Sequence, residues 1–352
     1  MKDLLRPEID TLAAYSLKET PCRIKLNQNE NPYELPATVK QEIVDLLAAE
    51  RWSRYPPFVP RAQLDQLAAF TGWRADGVLL GNGSNDILQL LFACVLDKGR
   101  SVVISKPTFT LYTLLAQAVG AVVHDVPMLP GFRFDTEAIV QAAGRHTASM
   151  TVLCSPNNPT GTQLAVAEIE RILDGTGGLV VVDEAYVQFA PYSVAGLLER
   201  HPRLVVLQTF SKAMGAAGLR FGYGLMAPSI AGRLNRVKLP YAVNTFTLIA
   251  AGVLMRRWVE VRGWIGTLNA ERERVRAALA TMPGITVYPS AANFLLLESQ
   301  VMPPSQIFEW LCADGILIRD VSGIPLLARA LRVSIGTPEE NNEFLGSMRR
   351  AL

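Results

Sequence analysis

Lys212 closes the string Thr209-Phe210-Ser211-Lys212, which directly follows the apolar run Leu204-Val205-Val206-Leu207. A lysine at the end of a buried strand is partly desolvated, which lowers its pKa and makes its amine a nucleophile. Away from such a position it would be a solvated surface cation. Gly218-Leu219-Arg220 follows, and Thr209, Ser211 and Arg220 together form a set able to hold a phosphate. Asp183-Glu184-Ala185-Tyr186 ends a second apolar run, Leu179-Val180-Val181-Val182. A carboxylate there is expensive to bury unless it meets a cation. That cation is either a neighbouring arginine or a protonated ring nitrogen.

Two further strings sit at the same kind of position. Gly81-Asn82-Gly83-Ser84-Asn85-Asp86 lies between a strand-like run at 78–80 and a helical stretch starting near Ser84. Its glycines let backbone approach a ligand, and a helix N-terminus offers free N–H groups to a phosphate. It matches neither GxGxxG nor a Walker loop, and a capped helix after a tight turn explains it equally well. Ser155-Pro156-Asn157-Asn158-Pro159-Thr160-Gly161 follows the run at 150–153. Its prolines and glycine fix a turn, and two adjacent amides supply directional hydrogen bonds.

The elements that must position these strings alternate between short apolar and amphipathic runs. Strand-like runs fall at 78–80, 101–104, 121–123, 150–153, 179–182 and 204–207, with helical stretches at 84–96, 108–119 and 165–173. The strands are rich in β-branched residues and lack polar alternation, as expected when both faces of a mainly parallel sheet are covered. This β/α alternation predicts an open α/β sheet with helices on both sides. Ligands in such sheets sit beyond the carboxyl ends of the strands, so the four strings should converge. Residues 244–281 read as long helices, followed by strands near 286–288, 293–298 and 331–335 and helices near 303–314 and 337–351. We expect a large domain over 46–243 and a smaller α+β domain from 1–45 and 244–352.

Composition excludes several classes. With 34 basic and 32 acidic residues the net charge is +2, too small an excess for a nucleic-acid or membrane surface. Cys22, Cys94, Cys154 and Cys312 are far apart and form no CxxC pair, so neither a metal cluster nor a disulfide framework is expected. The N-terminus has no signal-peptide pattern, and no apolar run is long enough to span a membrane. The expected compartment is the cytoplasm. His124, His146 and His201 sit in no motif.

The ordered set of strings resembles the fold-type I aminotransferases, and among them the histidinol-phosphate aminotransferase family. The likeness runs from Leu26-Asn27-Gln28-Asn29-Glu30-Asn31-Pro32-Tyr33 through Ser53-Arg54-Tyr55-Pro56 to Leu331-Arg332-Val333-Ser334-Ile335-Gly336, nearly the whole chain. The resemblance implies the pyridoxal 5'-phosphate (PLP)-dependent transferase fold type I: a large domain with a mainly parallel mixed sheet covered by helices, plus a smaller α+β domain. It implies that Lys212 forms a Schiff base with PLP, while Asp183 pairs with the protonated pyridine nitrogen. Asn158 and Tyr186 would bond the ring 3-oxygen, and Phe109 would stack on the ring where the family more often has Tyr. Gly83, Ser84, Asn85, Thr209, Ser211 and Arg220 would hold the phosphate, joined by Tyr55 from the second subunit of a homodimer. Asn85-Asp86 departs here from the family's usual Asp-Glu.

Arg319 and Arg332 resemble the family's arginines for the substrate anion, and guanidinium forks suit both carboxylate and phosphate. Tyr15 and Asn29 are further candidate substrate contacts. The implied reaction exchanges histidinol phosphate and 2-oxoglutarate for imidazole-acetol phosphate and glutamate, a step of histidine biosynthesis, with Lys212 moving the proton. An aromatic amino acid aminotransferase and a phosphothreonine-decarboxylase-like enzyme are the alternatives within PLP chemistry. A PLP-fold regulator would carry a DNA-binding domain ahead of this fold, and a nucleotide-binding dehydrogenase would need GxGxxG.

Overall fold

The computed structural model describes residues 4, 6–10, 12 and 20–352. A short strand, Ile24–Lys25 (β1), is followed by the seven strands of the large sheet. These are Val78–Asn82 (β2), Ser101–Lys106 (β3), Val122–Pro127 (β4), Met150–Cys154 (β5), Leu179–Asp183 (β6), Leu204–Thr209 (β7) and Phe221–Met226 (β8). Their order across the sheet is β2-β8-β7-β6-β5-β3-β4. The pairings among β3 to β7 are parallel, and β8 runs antiparallel to both of its neighbours. The carboxyl ends of β2, β3, β5, β6 and β7 therefore share one edge. Val180, Val181, Val182, Val205 and Val206 are fully buried, as strands covered on both faces require.

β8 is an element the apolar runs did not reveal. Gly222 and Gly224 dilute its strand signal, yet packing demands the first of them. A Cβ at Gly222 would lie 2.1 Å from the Ser84 backbone nitrogen. The missing side chain is what lets β8 press the start of the helix Ser84–Val95 against the site.

The second sheet has the order β12-β13-β10-β9, built from Ile285–Val287 (β9), Phe294–Ser299 (β10), Arg319–Asp320 (β12) and Ala330–Ser334 (β13), all antiparallel. Ile316–Leu317 (β11) pairs in parallel with β1, so Ile24–Lys25 is tied to residues nearly three hundred positions later. Core packing crosses both expected domain boundaries. Val39 and Ile43 before the first, and Leu248 and Val253 after the second, share one buried cluster with Val180 and Val206. Among the described residues, no helix is long and apolar enough to cross a membrane.

Candidate active site

A cavity of ≈ 520 Å³ opens at the shared strand edge and is lined from both sheets. Lys212, three residues beyond the end of β7, points its amine at the N-terminal segment, where Nζ donates to the Gln28 carbonyl at 2.8 Å. Burial, reinforced by the Arg332 charge, lowers its pKa from 10.5 to about 8, against the opposing pull of Glu30.

Asp183 is the last residue of β6 and only 4% exposed. Its Oδ2 accepts from the Tyr112 hydroxyl at 2.8 Å and its Oδ1 from the Ala185 N–H at 3.2 Å. Burial raises its pKa, and these two donors oppose the rise. Both Lys212 and Asp183 line the cavity.

Tyr186 and Asn158 also line it, and each has a polar atom held in place from behind. The Tyr186 oxygen accepts from Asn29 Nδ2 at 3.0 Å, which leaves the phenolic hydrogen for another acceptor. Asn29 adopts a left-handed backbone, φ 55°, pinned by Ser334. That hydroxyl accepts from the Asn29 N–H at 2.8 Å and donates to Asn29 Oδ1 at 3.1 Å. Asn29, buried and lining the cavity, thus spends its side-chain amide on Tyr186.

Asn158 Oδ1 accepts from Arg332 Nη1 at 2.5 Å, so its NH₂ group is turned elsewhere. Arg332 Nη2 donates to the Asn27 carbonyl at 2.6 Å, and the guanidinium lies over the Phe294 ring. Arg319 stands directly opposite Arg332 across the β12–β13 pair, and both line the cavity. Like charges placed opposite each other across strands repel, so this pair is suited to an anion between them.

The remaining corner joins three strand ends. Ser84 and Asn85 open the helix Ser84–Val95, whose first N–H groups have no partners within the helix. Thr209 Oγ1 lies 2.9 Å from Ser211 Oγ, which accepts from Arg220 Nη1 at 3.2 Å. Gly83 does not line the cavity itself, but a Cβ there would lie 2.4 Å from Arg220 Nη2, so its bareness admits the guanidinium. Phe109 lines the wall beside this corner. Tyr55 is 79% exposed, stacks on Tyr241 at 4.5 Å and stays outside its own chain's cavity. Tyr15 lies outside the described residues.

Several residues here escaped the sequence reading. Gln28 acts through a backbone carbonyl, which no side-chain pattern can reveal. Tyr112 had a weak signal: it follows Phe109 by three positions at the start of a helix, the spacing that places two side chains together. Cys154, Val321 and Ile324 line the cavity as ordinary apolar positions.

The sequence profile of the family described as aminotransferase class I and II matches residues 23–348. The chain belongs to the class I and II aminotransferases. This aminotransferase is 37% identical to the histidinol-phosphate aminotransferase of Chlorobaculum tepidum over 99% of its own length and 100% of the relative's. It is also 37% identical to the histidinol-phosphate aminotransferase of Desulfitobacterium hafniense, over 99% and 97% of the two chains. Its fold matches the crystal structure of histidinol-phosphate aminotransferase from Sinorhizobium meliloti in complex with pyridoxal 5'-phosphate. That likeness has a TM-score of 0.90 at 23% identity and covers 99% and 97% of the chains.

Proposed function

We propose that this aminotransferase binds PLP at Lys212 and Asp183 and exchanges histidinol phosphate and 2-oxoglutarate for imidazole-acetol phosphate and glutamate. The observation that carries the substrate reading is the Arg319–Arg332 pair, two cations facing each other on the wall of the lysine's cavity. Relatives of the same name that align over the full length support the same choice.

The donor set fits the cofactor. Ser84, Asn85, Thr209, Ser211 and Arg220 offer N–H, hydroxyl and guanidinium donors in one corner, as a phosphate needs. A buried carboxylate with one donor on each oxygen keeps lone pairs for a ring N–H. PLP, when bound, supplies an aldehyde carbon for the amino nitrogen and a ring that draws electrons from the substrate Cα–H bond.

The chain's own groups do the rest. Near neutral pH an amine with a pKa of about 8 is available in part without its proton, so Lys212 takes the proton from the substrate Cα and returns it during product formation. Asp183 holds the ring nitrogen's proton in place. Tyr186 and Asn158 have a hydrogen and an NH₂ group left over for the ring oxygen, because Asn29 and Arg332 occupy their acceptor atoms. Arg319 and Arg332 grip the phosphate of one substrate and the distal carboxylate of the other.

A second copy of the chain completes the site in this reading. Trp52, Tyr55, Phe58, Leu239 and Tyr241 form exposed apolar surface of a kind usually covered by a partner, and Tyr55 would reach the phosphate corner of that partner. Its four cysteines are free, which suits the cytoplasm.

The purified enzyme with PLP should be assayed for glutamate formation with histidinol phosphate and with phenylalanine, and for carbon dioxide release from O-phosphothreonine. Sites whose buried polar groups hydrogen-bond a substrate group reject analogues lacking it by about 10⁴-fold, so histidinol phosphate should dominate phenylalanine in kcat/KM. A preference for phenylalanine, or decarboxylation as the main reaction, overturns the assignment.

A further inference from the structure

Tyr112 stands behind the carboxylate that faces the cofactor ring, and no step above employs it. It is 0% exposed, and its hydroxyl donates to Asp183 Oδ2 at 2.8 Å. The local chain fixes it there. Its backbone N–H donates to the Phe109 carbonyl at 3.3 Å, and its ring meets the Phe109 ring edge-on, 5.6 Å between centroids at 89°. One short segment therefore sets both the wall of the cavity and the donor behind Asp183.

The surroundings leave the hydroxyl one charged acceptor. Cys154, on β5 and paired in register with Asp183, is the other group beside it. Burial and the nearby Asp183 charge push that thiol up to about 12, so it stays protonated and adds no charge. A phenylalanine would fill nearly the same volume. What the tyrosine adds is a single O–H aimed at a carboxylate, and hydrogen bonds to ionised groups are about twice as strong as neutral ones. Among the described residues, the other donor to the Asp183 carboxylate is the Ala185 N–H, at a longer 3.2 Å. Removing the shorter bond leaves a buried charge with half its internal support.

We propose that Tyr112 is a positioning residue whose hydroxyl keeps Asp183 ionised and aimed, so that the ring nitrogen of bound PLP keeps its proton. This rests on the reading that Asp183 pairs with that nitrogen. Without the hydroxyl, the proton shared by carboxylate and ring shifts toward Asp183, and the ring withdraws electrons less strongly.

The test is equilibrium dialysis of the apoenzyme against PLP and against 1-deaza-PLP, whose ring carries C–H in place of the nitrogen. Tyr112→Phe should weaken PLP binding about tenfold and 1-deaza-PLP binding less than twofold. Equal losses for both would show that Tyr112 acts through packing alone, and no loss for either would show that its hydroxyl is idle; both results overturn the proposal. A wild type that binds the two cofactors equally overturns the Asp183 reading beneath it, a result distinct from the other two. A double-mutant cycle gives a second measure. In an Asp183→Asn background the phenylalanine substitution should cost no further PLP affinity, and an undiminished tenfold loss there would refute the coupling. Unfolding temperatures of the apo variants, measured alongside, should match those of their parents.

Discussion

Lys212 is held at a cost to the folded chain, and replacing it should reveal that cost. The substitution Lys212→Met keeps a long side chain in the cavity but removes the amine, so turnover should be abolished. The cofactor-free protein should nevertheless become more stable at pH 7. Burial and the nearby arginines lower the lysine from 10.5 in an exposed chain to about 8 in the fold. At ~1.4 kcal/mol per unit this is a penalty of roughly 3 kcal/mol wherever both states carry the proton. Losing the hydrogen bond to Gln28 offsets about 1 kcal/mol of the gain, leaving roughly 2 kcal/mol. The sign depends on pH. Below about pH 8 the folded and unfolded lysines are both charged, and the penalty is complete. Between about 8 and 10.5 the folded lysine is neutral while the unfolded one is still charged, so the penalty fades. Urea unfolding of the two apoproteins should therefore show the methionine variant ahead at pH 7 and the gap closed at pH 10. A variant less stable at pH 7, or a gap that ignores pH, would refute the reasoning.

Three further outcomes follow from the geometry. Gly222→Ala places a methyl 2.1 Å from the Ser84 nitrogen, which is backbone and cannot swing aside; urea unfolding should register a loss of about 1–3 kcal/mol, and dialysis a weaker hold on PLP. Arg332→Lys keeps the charge but not the fork that reaches Asn158 and the Asn27 carbonyl, so steady-state kinetics should show a fall of about 10²-fold in kcat/KM for both substrates. Tyr186→Phe leaves the buried Asn29 amide without its acceptor, and thermal unfolding should report a loss of about 1–3 kcal/mol in addition to any change in the spectrum of the bound cofactor.

What could be read from the residues was whatever a single local run declares. Strands β5, β6 and β7 are mainly apolar runs that end in Cys154, Asp183 and Thr209, so strand, strand end and chemistry lie in one stretch of chain. β8 was invisible because Gly222 and Gly224 weaken its strand signal, the first of them serving a contact with the Ser84 backbone instead. In the site, Lys212, Asp183, Asn158 and Tyr186 line one cavity, as strings that follow strand ends implied, and Arg319 and Arg332, which the family resemblance alone suggested, line it too. The support behind them was not legible. The Gln28 carbonyl, the Asn29–Ser334 clasp and the Tyr112 hydroxyl act across separations set by the tertiary fold. The expected seams lie at 45/46 and 243/244. Helices on both sides of them nonetheless pack into the core of the large sheet.

The pairing of β1 with β11 has a bearing on synthesis. The segment Ile24 to Asn29 leaves the ribosome nearly three hundred residues before its partners Ile316, Leu317 and Ser334. Until those partners emerge, the acceptor of the Lys212 amine has no fixed place, even though the strands flanking that lysine can already associate. A nascent chain truncated before residue 316 should own a nearly finished sheet and still lack the strap that closes over its lysine.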